Sequence, residues 1–418
     1  MRRGLMEWNP DELPIGALES RIARLRAAMK DAGFDAFVVY TNLVRPSAVA
    51  WLTGFTPYWS EALLLVPRDG KLVFATALSN RVADWIRSTN PVSEVTSTPK
   101  PGTLIGERLA KDALVKRVGV LEWDTLPSEL ADNLAAAAPA VEWADGSALF
   151  ASLRRGVDEP ERRMLARADK LAVAALVESN ARDAGTLVGL IEQHARLGGA
   201  EEAYIHVAPD LVADRRLLRT SQSIPLAERF AVRASVAYKG SWVRRTRTFA
   251  ADGSTAIADT WFGDIMRAIE AGKPLGAQIQ SAIKKLSGAQ LVSWMAESCV
   301  GSYPLQAVAS SRVPGKDVIS DGQFLVLTVE LTVDGNPWIG AAPLIVGNRV
   351  SEARQPLRHS GARRRREPGI QMHTPSPCLD SGPRATRGPG MTAESLKCAV
   401  LRSTGCHASC WARTALRA

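Results

Sequence analysis

The chain has 418 residues, 46% of them hydrophobic and 23% charged, a length that suits two domains better than one core. Its net charge of +9 is concentrated at one end: residues 351–418 hold 12 Lys/Arg against 4 Asp/Glu, leaving 40 basic and 39 acidic groups in the first 350. A near-neutral body gives nucleic acid no electrostatic footing, and its single cysteine, Cys299, excludes a disulfide scaffold and suits a reducing compartment. No apolar h-region follows the opening MRRGLMEWNPDELP, and no run approaches 18 apolar residues, so a cytoplasmic protein without a membrane segment is expected.

In chain order, Leu18 to Ala32 places Leu18, Ile22, Leu25 and Met29 on one helical stripe, and Gly33 stops it. Ala36–Tyr40 reads as a buried strand, Ala62–Val66 and Lys71–Ala75 as a hairpin about Pro67-Arg68-Asp69-Gly70, Asn80–Arg87 as a helix, Arg117–Leu121 as a strand and Pro127–Ala138 as a helix. This alternation predicts an α/β domain over residues 1–150. Asp158-Glu159-Pro160-Glu161 then opens a helix reaching about Ala184, because acids and proline suit a first turn. A second helix runs from Thr186 to Leu197.

From there the period shortens. Ala203–Ala208, Phe230–Tyr238 and Ser241–Phe249 read as strands, the last two joined at Lys239-Gly240. Helices cover Asp259–Glu270 and Leu275–Leu286. Phe324–Val333 and Trp338–Val346 form a closing strand pair around Asp334-Gly335-Asn336-Pro337. Residues 151–350 are thus an α+β domain. Residues 351–418 lose all periodicity, with Arg363–Arg366 in a row and six prolines. That composition cannot bury enough apolar surface to offset ordering entropy. It also reads like GC-rich DNA translated out of frame; resequencing the 3′ end of the gene decides this. Cys398, Cys406, His407 and Cys410 lack the paired arms of a zinc site, and the arginine run reads as solvated charge.

The order of segments resembles the creatinase, prolidase and aminopeptidase P superfamily, whose second domain has the pita-bread fold. The resemblance covers about residues 15–350. It rests on RIARLRAAMKDAGFDAFVVYT, on WLTGF at Trp51–Phe55, on DEPERRMLARADKLA, and on AYKGSWVRRTRTF, which ends in Thr246-Arg247-Thr248. It implies a creatinase-like α/β N-terminal domain, a pita-bread C-terminal domain and a homodimer. The family's metalloenzymes hold two divalent ions with two aspartates, a histidine and two glutamates, ligands suited to such cations. Laid on those motifs, the aspartate positions fall on Arg233 and Arg244, the histidine near Ser298, one glutamate on Glu330 and the other near Ala341. One carboxylate and two guanidinium groups repel a cation, so no metal and no cofactor is expected.

Creatinase itself works without metal through a histidine, and the resemblance puts that position at or near Arg216, which cannot shuttle protons at neutral pH. His194 in IEQHARL reads as a surface residue; His206 in AYIHVA is the remaining candidate for a proton-transfer role, a structural histidine being the plainer reading. Cys299 reads as an inert buried thiol.

A turn at Lys239-Gly240 sets Ser235 opposite Arg244 and Arg233 opposite Thr246, so both arginines share one face as diagonal neighbours. With Arg216 joining from the preceding loop and Glu330 as internal counter-ion, the cluster is expected to bind a small anionic ligand or peptide; solvated or internally paired arginines in a collapsed cavity are the plainer alternative. Three functions follow as expectations: a metal-free pseudoenzyme binding an anionic ligand or a partner, a creatinase-like hydrolase of a small C–N substrate, and a proline-specific metallopeptidase.

Overall fold

The computed structural model describes residues 8–57, 61–177, 181–312 and 318–347; the expectations for residues 351–418 lie outside them. The first half comprises α1 (Ile15–Asp31), β1 (Ala36–Thr41), α2 (Ser47–Thr53), β2 (Ala62–Pro67), β3 (Leu72–Thr76), α3 (Asn80–Thr89), β4 (Ser93–Ser97), α4 (Pro101–Ala110), β5 (Arg117–Val120), α5 (Ser128–Ala137), β6 (Glu142–Asp145) and α6 (Ser147–Leu153). Its sheet has the order β4-β3-β2-β1-β5-β6. β1 runs antiparallel to β2 and parallel to β5.

Central placement explains the unbroken apolar run of β1, since a strand covered on both faces needs no polar side. Phe37 and Val39 pack with α1, α2 and α6, while Val38 and Tyr40 pack toward α4 and α5. Gly33, at φ 69°, lets α1 close with Phe34 donating to Met29 O at 2.8 Å, the left-handed end only glycine takes without strain. Sequence periodicity missed α2, α4, β4 and β6. The last two are short edge or near-edge strands with few apolar residues.

The second half comprises α7 (Glu159–Val177), α8 (Ala184–Leu197), β7 (Glu202–Ala208), β8 (Arg229–Tyr238), β9 (Ser241–Ala250), α9 (Ala256–Ala268), α10 (Leu275–Ile283), β10 (Ala289–Ser298), β11 (Gln306–Ser310), β12 (Phe324–Val333) and β13 (Asn336–Ile345). The helix expected to reach about Ala184 is described over Glu159–Val177, residues 178–180 lie outside the described residues, and α8 begins at Ala184; β10 and β11 were not foreseen. The seven strands pair in the order β11-β10-β12-β13-β9-β8-β7, and every pairing is antiparallel. The fold is therefore an α/β sheet domain followed by an antiparallel sheet domain with helices. Ile205, Val232, Val236 and Val243 pack under α7 and α8, and Leu325, Leu327, Val329 and Leu331 under α9 and α10. Alternation turns the intervening residues of every strand to the other face.

The two domains are joined by buried charge. Arg21 of α1, 1% exposed, makes a two-pronged contact with Asp158 at 2.6 and 2.7 Å and donates to Trp51 O. Arg154 pairs with Glu161 at 2.9 Å and also donates to Cys299 O. Glu122, at φ 56°, accepts from the Ser302 amide and the Gln306 side chain, and Arg45 donates to Tyr303 Oη. These contacts fix the 299–306 loop against the first domain.

Candidate functional site

Register puts the chemistry-bearing residues on the sheet face turned away from α7–α10. His206 lies opposite Arg233, Arg233 opposite Thr246, Thr246 opposite Ala341, and Ala341 opposite Thr328. One row along, Tyr204 lies opposite Ser235 and Ser235 opposite Arg244. Glu330 follows Thr328 by two residues on β12, so it shares the face. His206, Arg233, Arg244 and Glu330 are thus brought to one surface, and the pairings of Ser235 with Arg244 and Arg233 with Thr246 are as the turn predicted.

The short connection explains that register. Lys239 (φ 48°) and Gly240 (φ 78°) are both left-handed, a two-residue turn whose twist matches the strands it joins.

The two arginines are held differently. Arg244 donates through Nε to Ser235 Oγ at 3.1 Å and pairs with the Glu297 carboxylate; the two side chains are 18% and 8% exposed. Arg233 donates through Nε to Thr246 Oγ1 at 3.4 Å, and no carboxylate of the described residues lies within ion-pair distance of it. Burial, then the neighbouring Arg244, push its guanidinium down to about 10, against the opposing pull of Glu297 and Glu330. It stays protonated at neutral pH.

His206 sits among these cations. Burial lowers its pKa below the ordinary 6.5, and Arg233, Arg244 and Arg219 lower it further, so the imidazole is neutral at pH 7. Its Nδ1 is buried without a hydrogen-bond partner, as is Thr328 Oγ1 on the same face.

Two expectations are corrected. Arg216 does not join the cluster: its side chain is 78% exposed and folds back on Asp214 at 2.8 Å. A carboxylate two residues away costs less chain entropy than a reach across the sheet. Arg219 takes that place, because Leu218 pairs with Val207 beside β7, and its guanidinium lies 5.5 Å from the Tyr204 ring centroid. The counter-ion in contact with the cluster is Glu297 rather than Glu330, which acts on Arg233 only through space. Glu297 was legible in principle: Val292, Trp294 and Ala296 alternate with Ser293, Met295 and Glu297, the signature of a half-covered strand.

The remaining candidates lie apart from this face. His194 is on α8. Cys299 is buried, its Sγ donates to Pro304 O at 2.8 Å, and burial pushes the thiol up to about 12, which leaves no thiolate nucleophile at neutral pH. Ser298 Oγ donates to Phe324 O. Among the described residues no group of three or more His, Cys, Asp or Glu is placed to hold a metal ion, and no helix is long and apolar enough to cross a membrane.

Residues 21–155 match the Creatinase/Prolidase N-terminal domain family. The structure is similar to the prolidase from Thermococcus sibiricus, with TM-score 0.61 and 15% identity, covering 79% of this chain and 94% of that one. It is similar also to the Xaa-Pro dipeptidase from Bacillus anthracis (TM-score 0.58, 20% identity, 79% and 95% covered). A third likeness is to the N-terminal domain of the FACT complex subunit SPT16 from Cicer arietinum (TM-score 0.56, 13% identity, 79% and 94% covered). Comparison with curated proteins gave no significant match. The shared fold is thus one that carries both dipeptidases and a subunit of the FACT complex.

Proposed function

We propose that this chain is a creatinase–prolidase–aminopeptidase P superfamily protein that has lost its metal site and binds a small carboxylate-bearing ligand at Arg233, on the face of its second sheet turned away from α7–α10. The observation that carries this reading is Arg233: a half-buried guanidinium steered by Thr246, in contact with no carboxylate of the described residues. Its planar fork suits a carboxylate or phosphate oxygen pair.

The metal that the fold family implies does not fit these residues. Arg233 and Arg244 occupy the sheet face where the resemblance expects aspartates, Glu297 is already paired with Arg244, and Glu330 is the carboxylate left there without an ion pair among the described residues. A dication there meets two fixed positive charges, so no step is routed through one.

His206 supports a second reading, metal-free hydrolysis of a small C–N substrate. A neutral imidazole beside Arg233 can accept a proton at pH 7, although its Nδ1 is buried.

Calorimetric titration of the full chain with acetate, succinate, proline and phosphate tests the proposal. Millimolar or tighter binding that Arg233→Met removes and Arg216→Met leaves intact is expected. Absence of binding, or binding indifferent to Arg233→Met, overturns it, and so does stoichiometric uptake of manganese on dialysis. Turnover of creatine-like amidines that His206→Ala abolishes would favour the hydrolase.

A further inference from the structure

A groove of about 860 Å³ lies on the first domain, along one flank of α1 from Ile15 to Lys30, walled by the β2–β3 turn and by Pro91 and Val92 ahead of β4. No residue of the Arg233 face lines it. Its volume is that of a small-molecule site, and Ile22, Phe34 and Leu72, all buried, give it an apolar floor.

The two ends of the groove differ. Helix rise sets Ile15 and Lys30 roughly 22 Å apart. At the Ile15 end the walls are apolar: Val92 packs beside Leu13 and Leu18, and Ile15 is 41% exposed. Glu19 is the one charged side chain lining that end among the described residues. At the other end Arg26, Lys30, Arg68 and Lys71 stand against Asp35 and Asp69. Asp35 is fully engaged, by Arg68 and by the amides of Lys116 and Arg117 at 2.7 and 2.9 Å. Arg26 is fixed by neutral acceptors, its Nε donating to Pro67 O at 3.0 Å and its Nη2 to Gly70 O. Its Nη1 and the ammonium groups of Lys30 and Lys71 have no partner among the described residues. Burial lowers the pKa of the Arg26 guanidinium against the pull of Asp69. A cation partly stripped of water, held in place and touched by no carboxylate gains from an anion brought to it.

We propose that this groove binds a single anionic amphiphile, an alkyl-chain carboxylate, with its head among Arg26, Lys30 and Lys71 and its chain laid toward Ile15 and Val92. The cationic end supplies the recognition of the head, and the apolar end supplies affinity that grows with chain length. Glu19 repels a second carboxylate at the far end, which selects ligands charged at one end. This site is independent of the Arg233 face and of what that face binds.

Calorimetric titration of the full chain with alkanoates from butanoate to decanoate, each kept below its micelle concentration, tests the proposal. Affinity should tighten about threefold per added methylene. Decanoate should bind about tenfold or more tighter than decanedioate or decyltrimethylammonium. Lys30→Gln with Lys71→Gln, both exposed positions, should weaken decanoate about tenfold, and Ile15→Asp should abolish the gain at the longest chains. Loss through the two lysines also separates this site from the Arg233 face, which they do not line. Affinity that is flat with chain length, or unchanged in the lysine variant, overturns the proposal. Attachment to phosphatidylglycerol vesicles through these lysines, without saturable uptake of decanoate, makes the groove a membrane contact and overturns it as well.

Discussion

Arg244 and Glu297 form an ion pair across the second sheet, from β9 to β10 with β13 and β12 between them. Ser235 takes the Nε of the same guanidinium, so the arginine is held at both ends. A buried pair of this kind costs most when one member is removed, because the other keeps its charge without solvent or partner. Glu297→Ala should therefore lower unfolding free energy by about 3 kcal/mol, read as the midpoint shift in urea. The double change Arg244→Met with Glu297→Leu should recover most of that loss. Recovery failing to appear would show that the pair is worth more than its apolar replacement.

The domain junction titrates. Burial alone would raise the Asp158 carboxyl, but the Arg21 ion pair and the Glu161 amide outweigh it and hold Asp158 below its ordinary 3.8. A carboxylate depressed in the folded state adds stability above its unfolded pKa and loses it as pH falls through the folded value. Wild-type stability should fall steeply below about pH 4, and Asp158→Ala should flatten that slope while costing about 3 kcal/mol at pH 7. Urea midpoints across the acid range check both.

His206 should report occupancy of the Arg233 face. With burial and three arginines lowering its pKa from 6.5, its NMR titration midpoint should lie below that value in the free protein. Because the folded value is depressed, the stability linked to this group is present above pH 6.5 and is lost as pH falls through the folded pKa. A carboxylate bound at Arg233 offsets the nearest positive charge, so the midpoint should rise on ligand addition. A midpoint that ligand leaves unmoved would place binding elsewhere.

Two turns of the same conformation separate backbone strain from domain contact. Gly240 (φ 78°) and Gly335 (φ 81°) both sit in the left-handed region, but a Cβ on Gly240 would lie 2.9 Å from Ala50 Cβ, and one on Gly335 would meet nothing within 4 Å. Gly335→Ala should cost about 1 kcal/mol from backbone strain. Gly240→Ala should cost about 1 kcal/mol more, since it also pushes the hairpin off α2. Equal losses in denaturant midpoints would mean that the hairpin tip yields freely.

These particular residues also mark what could be read along the chain. The helical stripe of Leu18, Ile22, Leu25 and Met29, the double-sided burial of β1, and the pairing of β8 with β9 follow from periodicity and a two-residue turn, which are local properties. Even the shared face of Arg233 and Arg244 follows, since side chains alternate strictly and the turn sets the register. The resemblance to the creatinase and prolidase group carried the two-domain arrangement with it.

The partners of those arginines did not follow. Glu297 lies 53 positions from Arg244, and no local period states that β10 will stand beyond two intervening strands, β12 and β13, from β9. Arg216 and Arg219 are three residues apart in one loop and equally basic. Only the pairing of Leu218 with Val207 turns Arg219 over Tyr204 and leaves Arg216 to Asp214. The sequence by itself determined which residues form each element and which way their side chains alternate, because backbone geometry and hydrogen bonding act over a few residues. The tertiary structure alone decided which charge answers which, because a guanidinium and a carboxylate meet through space, and strand order sets their distance.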